Sequence, residues 1–127
     1  MAKRTKAQEA EREDALKELR KMLRPGMEIR TIMRNVSRSG MQREISLVVP
    51  RRDGSINDLT RLTCIALGYR RGKYDGAIVG GCGMDMGFHL VYNLGRAVWP
   101  NGTKNPHGKR NGEPDRDGGY ALKHRWL

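Results

Sequence analysis

Three side chains with different chemical uses stand close together in this sequence: Cys82, Asp85 and His89. They accompany a glycine-rich stretch, with four glycines in the eight residues from Gly80 to Gly87. The apolar run before it predicts a strand, and the pattern after it predicts a helix. A strand, a glycine turn and a helix start in this order can present bare backbone N–H groups to an anion.

Four interpretations of this stretch stay open. An anion pocket formed by Gly81, Cys82 and Gly83 would have to tolerate Asp85, whose negative charge competes with a phosphate. Cys82, Asp85 and His89 are competent metal ligands, but their spacing matches no standard zinc motif. Cys82 at a helix start is also a candidate nucleophile, with His89 as its base, although no third orienting residue is evident. Finally, Asp85 and His89 fit the outer face of an ordinary amphipathic helix.

A second group of residues suits phosphate binding. Two alternating runs, Met27 to Val36 and Glu44 to Val49, predict a β-hairpin. The connection between them is long enough to act as a binding loop. Guanidinium and hydroxyl groups, which are common phosphate contacts, cluster around it at Arg34, Ser37, Arg38, Ser39 and Arg43. A solvated turn accounts equally well for the serines.

A further basic cluster comprises Arg70, Arg71 and Lys73, which we expect to form a loop. Tyr69 and Tyr74 flank it, and aromatic rings beside cations suit stacking on single-stranded bases. The cluster would extend the basic surface of the hairpin loop.

The whole chain is strongly basic. Its 127 residues include 25 Lys and Arg against 14 Asp and Glu, a formal charge of +11. Residues 1–24 hold eight basic and five acidic side chains, so the excess is not confined to a terminal tail. A charge of this size favours polyanionic partners, because neutralising phosphates releases condensed counterions.

These groups must be positioned by a small α+β domain. We predict an N-terminal amphipathic helix within residues 1–24, a compact core over 25–99 and an irregular basic segment over 100–127 that docks by its end. The core order is hairpin, helix, strand, glycine turn and second long helix. Ser55 and Asp58 have the spacing of a capping box for the first core helix, which closes near Gly68. Cys64 is expected to be a core residue, and two cysteines alone favour a reducing compartment.

Three segments resemble a family of small proteins from tailed bacteriophages. They are the runs VSRSGM from Val36, GCGMDMGF from Gly81 and GGYAL from Gly118. The resemblance covers most of the chain from about Leu23 onward. It implies a phage origin without a particular activity, and therefore either nucleic-acid handling or inhibition of host defence. Relatives often carry additional Cys and His between the second and third segments, where this chain has only His107.

The sequence therefore predicts a small protein that binds a phosphate-bearing partner and does not catalyse a reaction on it. Nucleic acid is the first choice for this partner. The alternatives are an inhibitor of a host defence protein, a sponge for a signalling nucleotide, and a small Cys- or metal-dependent enzyme with Cys82, Asp85 and His89 as its ligands. No cofactor is predicted. We expect no membrane association and a location in the cytoplasm of an infected bacterium.

Overall fold

The computed structural model describes residues 5–35, 42–73, 75–80, 85–99, 106–107, 113–114 and 120–126. For fifteen of these, among them Arg43, Asp85 and Tyr120, only the backbone is described. Within these ranges the elements are α1 (Lys6–Met22), β1 (Glu28–Asn35), β2 (Gln42–Pro50), β3 (Ile56–Asp58), α2 (Thr60–Leu67), β4 (Arg70–Arg71), β5 (Ala77–Gly80), α3 (Asp85–Val98), β6 (Pro106–His107), β7 (Glu113–Pro114) and β8 (Tyr120–Trp126). The predicted α+β class and the order of helix, hairpin, helix, strand and helix are confirmed.

All the pairings form one antiparallel sheet in the order β4-β5-β2-β1-β8-β6. The β1–β2 hairpin is its centre. On the outer edge of β2, β5 pairs with the first half of the strand and β3 with the last three residues. On the outer edge of β1, β8 pairs along six positions from Glu28 to Met33.

The three helices pack on one face of this sheet. Apolar residues of α1, α2 and α3 form a single cluster with Ile29, Met33, Ile45, Leu47 and Val49 of the hairpin. The cluster follows from the period-two alternation of β1 and β2, which places every second residue on the same side. Cys64 belongs to this core and is 4% exposed.

Helix α1 is tied to the ends of the other two helices. Thr5 and Gln8 form a reciprocal capping box at its start. The Nε of Arg12 donates to the carbonyl of Ala66 in the last turn of α2, at 3.0 Å. The Nε of Arg20 donates to the last carbonyl of α3, that of Val98, at 3.2 Å. Both cations therefore satisfy carbonyls that a helix end leaves without an intrahelical partner.

Two parts of the chain differ from the sequence-based prediction. Residues 56–58 form β3, and α2 begins after Leu59 without a side-chain cap, so the capping box predicted for Ser55 and Asp58 is wrong. The Ser55 hydroxyl instead donates to Asp53. The closure near Gly68 is confirmed by its left-handed backbone, with φ at 75°.

The second difference is at the end of the chain. Tyr120–Trp126, expected within an irregular segment, forms a seven-residue strand in the interior of the sheet. None of the described helices combines the length and the apolar character that crossing a bilayer requires.

Candidate functional site

The face of the sheet opposite the helices carries two of the candidate binding residues that the structure describes, Arg34 and Arg70. Side chains directly opposite each other on paired strands share a face, so the strand register assigns them. The basic side chains on this face are Arg30, Arg34, Arg70, Lys123 and Arg125. We call these five residues the basic face.

Four members of the basic face lie in two rows that run across the strands. In the first row, Asp58, Val48, Arg30 and Lys123 follow one another on β3, β2, β1 and β8. In the second row, the order is Arg70, Ile78, Glu44 and Arg34 on β4, β5, β2 and β1. We call them the Arg30 row and the Arg34 row.

A row whose β1 and β2 side chains are uncharged separates the two, and we call it the neutral row. Ser46 and Ile32 are opposite each other in it on β2 and β1, and the register continues it through Ala121 of β8 to Glu113 of β7. Arg30 and Arg34 are four residues apart on one strand, which corresponds to about 13 Å. The basic face thus presents two rows about 13 Å apart, and each row holds two cations and one carboxylate, Asp58 or Glu44.

Three acidic side chains on this face accept hydrogen bonds from nearby N–H groups. Glu28 accepts from the Nε of Arg30 at 2.9 Å. Glu44 is 2% exposed, and its Oε1 accepts from the backbone N–H of Gly76 at 3.1 Å. Asp58 accepts from the backbone N–H of Thr60 at 2.9 Å. The five cations outnumber these three carboxylates, and Arg70, Lys123 and Arg125 are exposed.

The apolar side chains between the cations are aliphatic. Ile32, Val48 and Ile78 lie on this face, and the side chains described there include no aromatic ring. Tyr69, expected to flank the basic cluster, is half-buried, and its hydroxyl accepts from Asn93 at 3.0 Å. The basic face therefore suits contact with charged groups more than stacking on bases.

The predicted loop of Arg70, Arg71 and Lys73 is in fact a short strand and its turn. Arg70 and Arg71 form β4, so alternation separates them. Arg71 is opposite Ala77, a core residue, and its Nη2 is 3.5 Å from Oδ1 of Asp75. Lys73 is exposed in the turn that leads to β5. Of these three cations, only Arg70 belongs to the basic face.

Several predicted site residues lie outside the described ranges. Ser37, Arg38 and Ser39 of the hairpin loop are among them, and so are Gly81, Cys82 and Gly83 of the glycine turn. Arg43 and Asp85 have only their backbones described: Arg43 is opposite Asn35 in the hairpin, and Asp85 begins α3. The binding loop and the glycine-turn pocket remain predictions.

His89 lies on the exposed surface of α3. Over the described part of the chain, no group of three or more His, Cys, Asp or Glu is arranged to hold a metal ion. Burial raises the pKa of the Cys64 thiol, which disfavours the reactive thiolate. Cys82 and the side chain of Asp85 are not among the described parts of the chain, so the metal and cysteine interpretations of Cys82, Asp85 and His89 remain predictions.

The most unusual buried group is His124, on the helix-facing side of β8. It is 1% exposed, and its Nε2 is 2.7 Å from the hydroxyl oxygen of Thr31. The Phe88 ring meets the imidazole edge-on, with centroids 4.5 Å apart. Nδ1 has no hydrogen-bond partner among the described atoms. Burial lowers the pKa of His124 to about 4, so the ring is neutral at pH 7.

Sequence reasoning did not select Arg30, Lys123 or Arg125 for the site. The signal was present, because β8 alternates: Lys123 and Arg125 stand between His124 and its apolar neighbours. Arg30 shares the period-two spacing of Arg34 on β1.

Comparison with protein-family models, with curated proteins and with solved structures finds no significant match for this chain.

Proposed function

We propose that this protein binds nucleic acid through the sugar–phosphate backbone, using the basic face of its sheet and without turnover. The observation that carries the proposal is the alignment of Arg30, Arg34, Arg70, Lys123 and Arg125 on the sheet face opposite the helices. The same proposal, with the resemblance to tailed-phage proteins, puts the protein in the cytoplasm of an infected bacterium.

Charge and composition of the face support this partner. The chain has a formal charge of +11, so a polyanion gains counterion-release entropy on binding. Guanidinium groups match phosphate oxygens in geometry and charge. The described neutral positions are aliphatic or hydroxyl-bearing, which favours sequence-independent contact over the reading of bases.

The test compares two variants that each remove three positive charges. In the face variant, Arg70→Gln, Lys123→Gln and Arg125→Gln are combined; all three residues are exposed. In the control variant, Lys6→Gln, Lys17→Gln and Arg61→Gln remove exposed cations from α1 and α2. Fluorescence anisotropy with a labelled 20-base-pair DNA duplex gives Kd between 50 and 300 mM NaCl.

We expect wild-type binding to weaken steeply with salt. Each lost phosphate contact lowers the slope of log K against log salt by about 0.9, so the face variant should lose up to about 2.7 units of slope. The control variant should keep a slope close to that of the wild type. Equal losses in the two variants would show non-specific attraction by net charge, and would refute the assignment to this face. A wild-type protein that does not bind the duplex at 50 mM NaCl would refute the proposed function.

A further inference from the structure

The two rows of the basic face have a spacing that selects among nucleic acids. The Arg30 row presents Arg30 and Lys123, which are direct neighbours on β1 and β8. The Arg34 row presents Arg34 and Arg70 at opposite ends, with Ile78 and the buried Glu44 between them. Along the strand direction the rows are about 13 Å apart, close to the ~12 Å width of the major groove of B-form DNA.

The uncharged side chains of the neutral row separate the cations of one row from those of the other. Ile32 and Ser46 lie between the cations, so no described charge on the face would attract a phosphate midway between the rows. A single strand places its phosphates along one line, which one row is enough to contact. A duplex places phosphates on both sides of a groove, and the groove itself carries no backbone charge.

From this arrangement we propose that the preferred ligand is double-stranded DNA, with one phosphate backbone on the Arg30 row and the other on the Arg34 row. The inference rests on the proposed function and narrows it. Contact is made across the mouth of the groove, and the neutral row faces the groove without reading base edges. Affinity is therefore nearly independent of sequence.

The width of the sheet is consistent with such a footprint. Arg34 and Arg70 are separated by two intervening strands, β2 and β5, so they lie about 14 Å apart at the 4.7–4.9 Å strand spacing. The Arg34 row can therefore contact one backbone at two separate phosphates, one at Arg34 and one at Arg70. The Arg30 row is more compact, because Arg30 and Lys123 are on neighbouring strands.

The experiment is a competition assay at 100 mM NaCl with the full chain bound to a labelled 20-base-pair DNA duplex. The competitors are the unlabelled duplex, its single strand at equal nucleotide concentration, and ATP. We expect the duplex to compete at least 10-fold better than the single strand, and ATP to compete only weakly. Two unrelated duplex sequences should compete within threefold of each other.

Single-residue variants test whether both rows take part. Lys123→Gln removes an exposed cation from the Arg30 row, and Arg70→Gln removes one from the Arg34 row. Each should lower the salt slope for the duplex by about 0.9, and the double variant by about twice that. Lys17→Gln, on the exposed surface of α1, is the matched control and should leave the slope unchanged.

The outcomes separate the inference from the function on which it rests. A single strand that competes as well as the duplex, or a slope that responds to only one row, overturns the two-row inference and leaves nucleic-acid binding in place. ATP competing more strongly than the duplex would overturn both in favour of a nucleotide site. No binding of the duplex at 50 mM NaCl overturns the proposed function itself.

Discussion

Acidification should destabilise this protein through His124. The imidazole is 1% exposed, and its described contacts are the Thr31 hydroxyl and the ring of Phe88. Lys123 and Arg125 flank it along β8 but belong to the opposite face of the sheet. A proton added to this ring would create a charge in the core without a counter-ion among the described side chains that contact it.

The magnitude follows from the two pKa values. Burial lowers the pKa of His124 from 6.5 to about 4, so between these values the unfolded chain binds a proton that the folded protein does not. The free energy of unfolding must therefore decrease as the pH falls through this window. Since one pKa unit corresponds to about 1.4 kcal/mol, the loss is about 2 kcal/mol by pH 5 and about 3 kcal/mol at pH 4.

Urea unfolding at pH 7.5, 6.5, 5.5 and 4.5 measures this loss directly. His124→Gln replaces the ring with a side chain that does not titrate, and the difference between the wild type and this variant isolates His124 from the carboxylates. His89→Gln is the matched control, because His89 is exposed on α3. We expect His124→Gln to be less stable at pH 7.5 and to lose less stability on acidification, whereas His89→Gln follows the wild type.

The opposite result would be decisive. If the wild type and His124→Gln lose equal stability between pH 7.5 and 4.5, His124 is not a buried neutral group. If His124→Gln is too unstable for measurement, the ring proton signals of wild-type His124 in a pH titration by NMR serve instead. A midpoint near 6.5 would then contradict the described environment.

Three further predictions concern the packing around the site, each measured by urea unfolding at pH 7.5. Gly72→Ala should cost about 1–3 kcal/mol, because the new Cβ would collide with the buried side chain of Glu44; a neutral result would mean that this carboxylate is not held against β4. Gly68→Ala should cost about 1 kcal/mol, because the φ of 75° that ends α2 is left-handed, and an unchanged stability would place the end of the helix elsewhere. Arg12→Met should cost about 1 kcal/mol through loss of the hydrogen bond to Ala66, whereas the exposed control Lys17→Met should cost little; equal costs would assign no role to that bond.

The helices and the central hairpin could be predicted because their residue patterns are long and regular. Helix α1 has a continuous apolar stripe, and Ala15, Leu16 and Leu19 of this stripe are buried. Ile29 and Met33, both buried, belong to the alternating run from which the hairpin was predicted. Patterns of this length outweigh local propensity.

The remaining elements depend on pairing that short segments do not reveal. β3 and β4 have three and two residues, too few to show alternation, and they exist because β2 and β5 offer free edges. β8 does alternate, but it follows a stretch rich in Asn, Gly and Pro whose composition predicts irregular structure. The basic face was not predicted because Lys123 and Arg125 join it only when β8 pairs with β1.

The position of β8 also has a consequence for synthesis on the ribosome. Thr31 and His124 are in contact across 93 positions of sequence, and β1 has its second neighbour only when Tyr120–Trp126 is in place. During translation the N–H and C=O groups on the outer edge of β1 therefore lack their β8 partners until residues 120–126 have emerged from the ribosome. A nascent chain halted before residue 120 would expose that edge to other chains, so premature termination should yield insoluble fragments rather than a smaller folded domain.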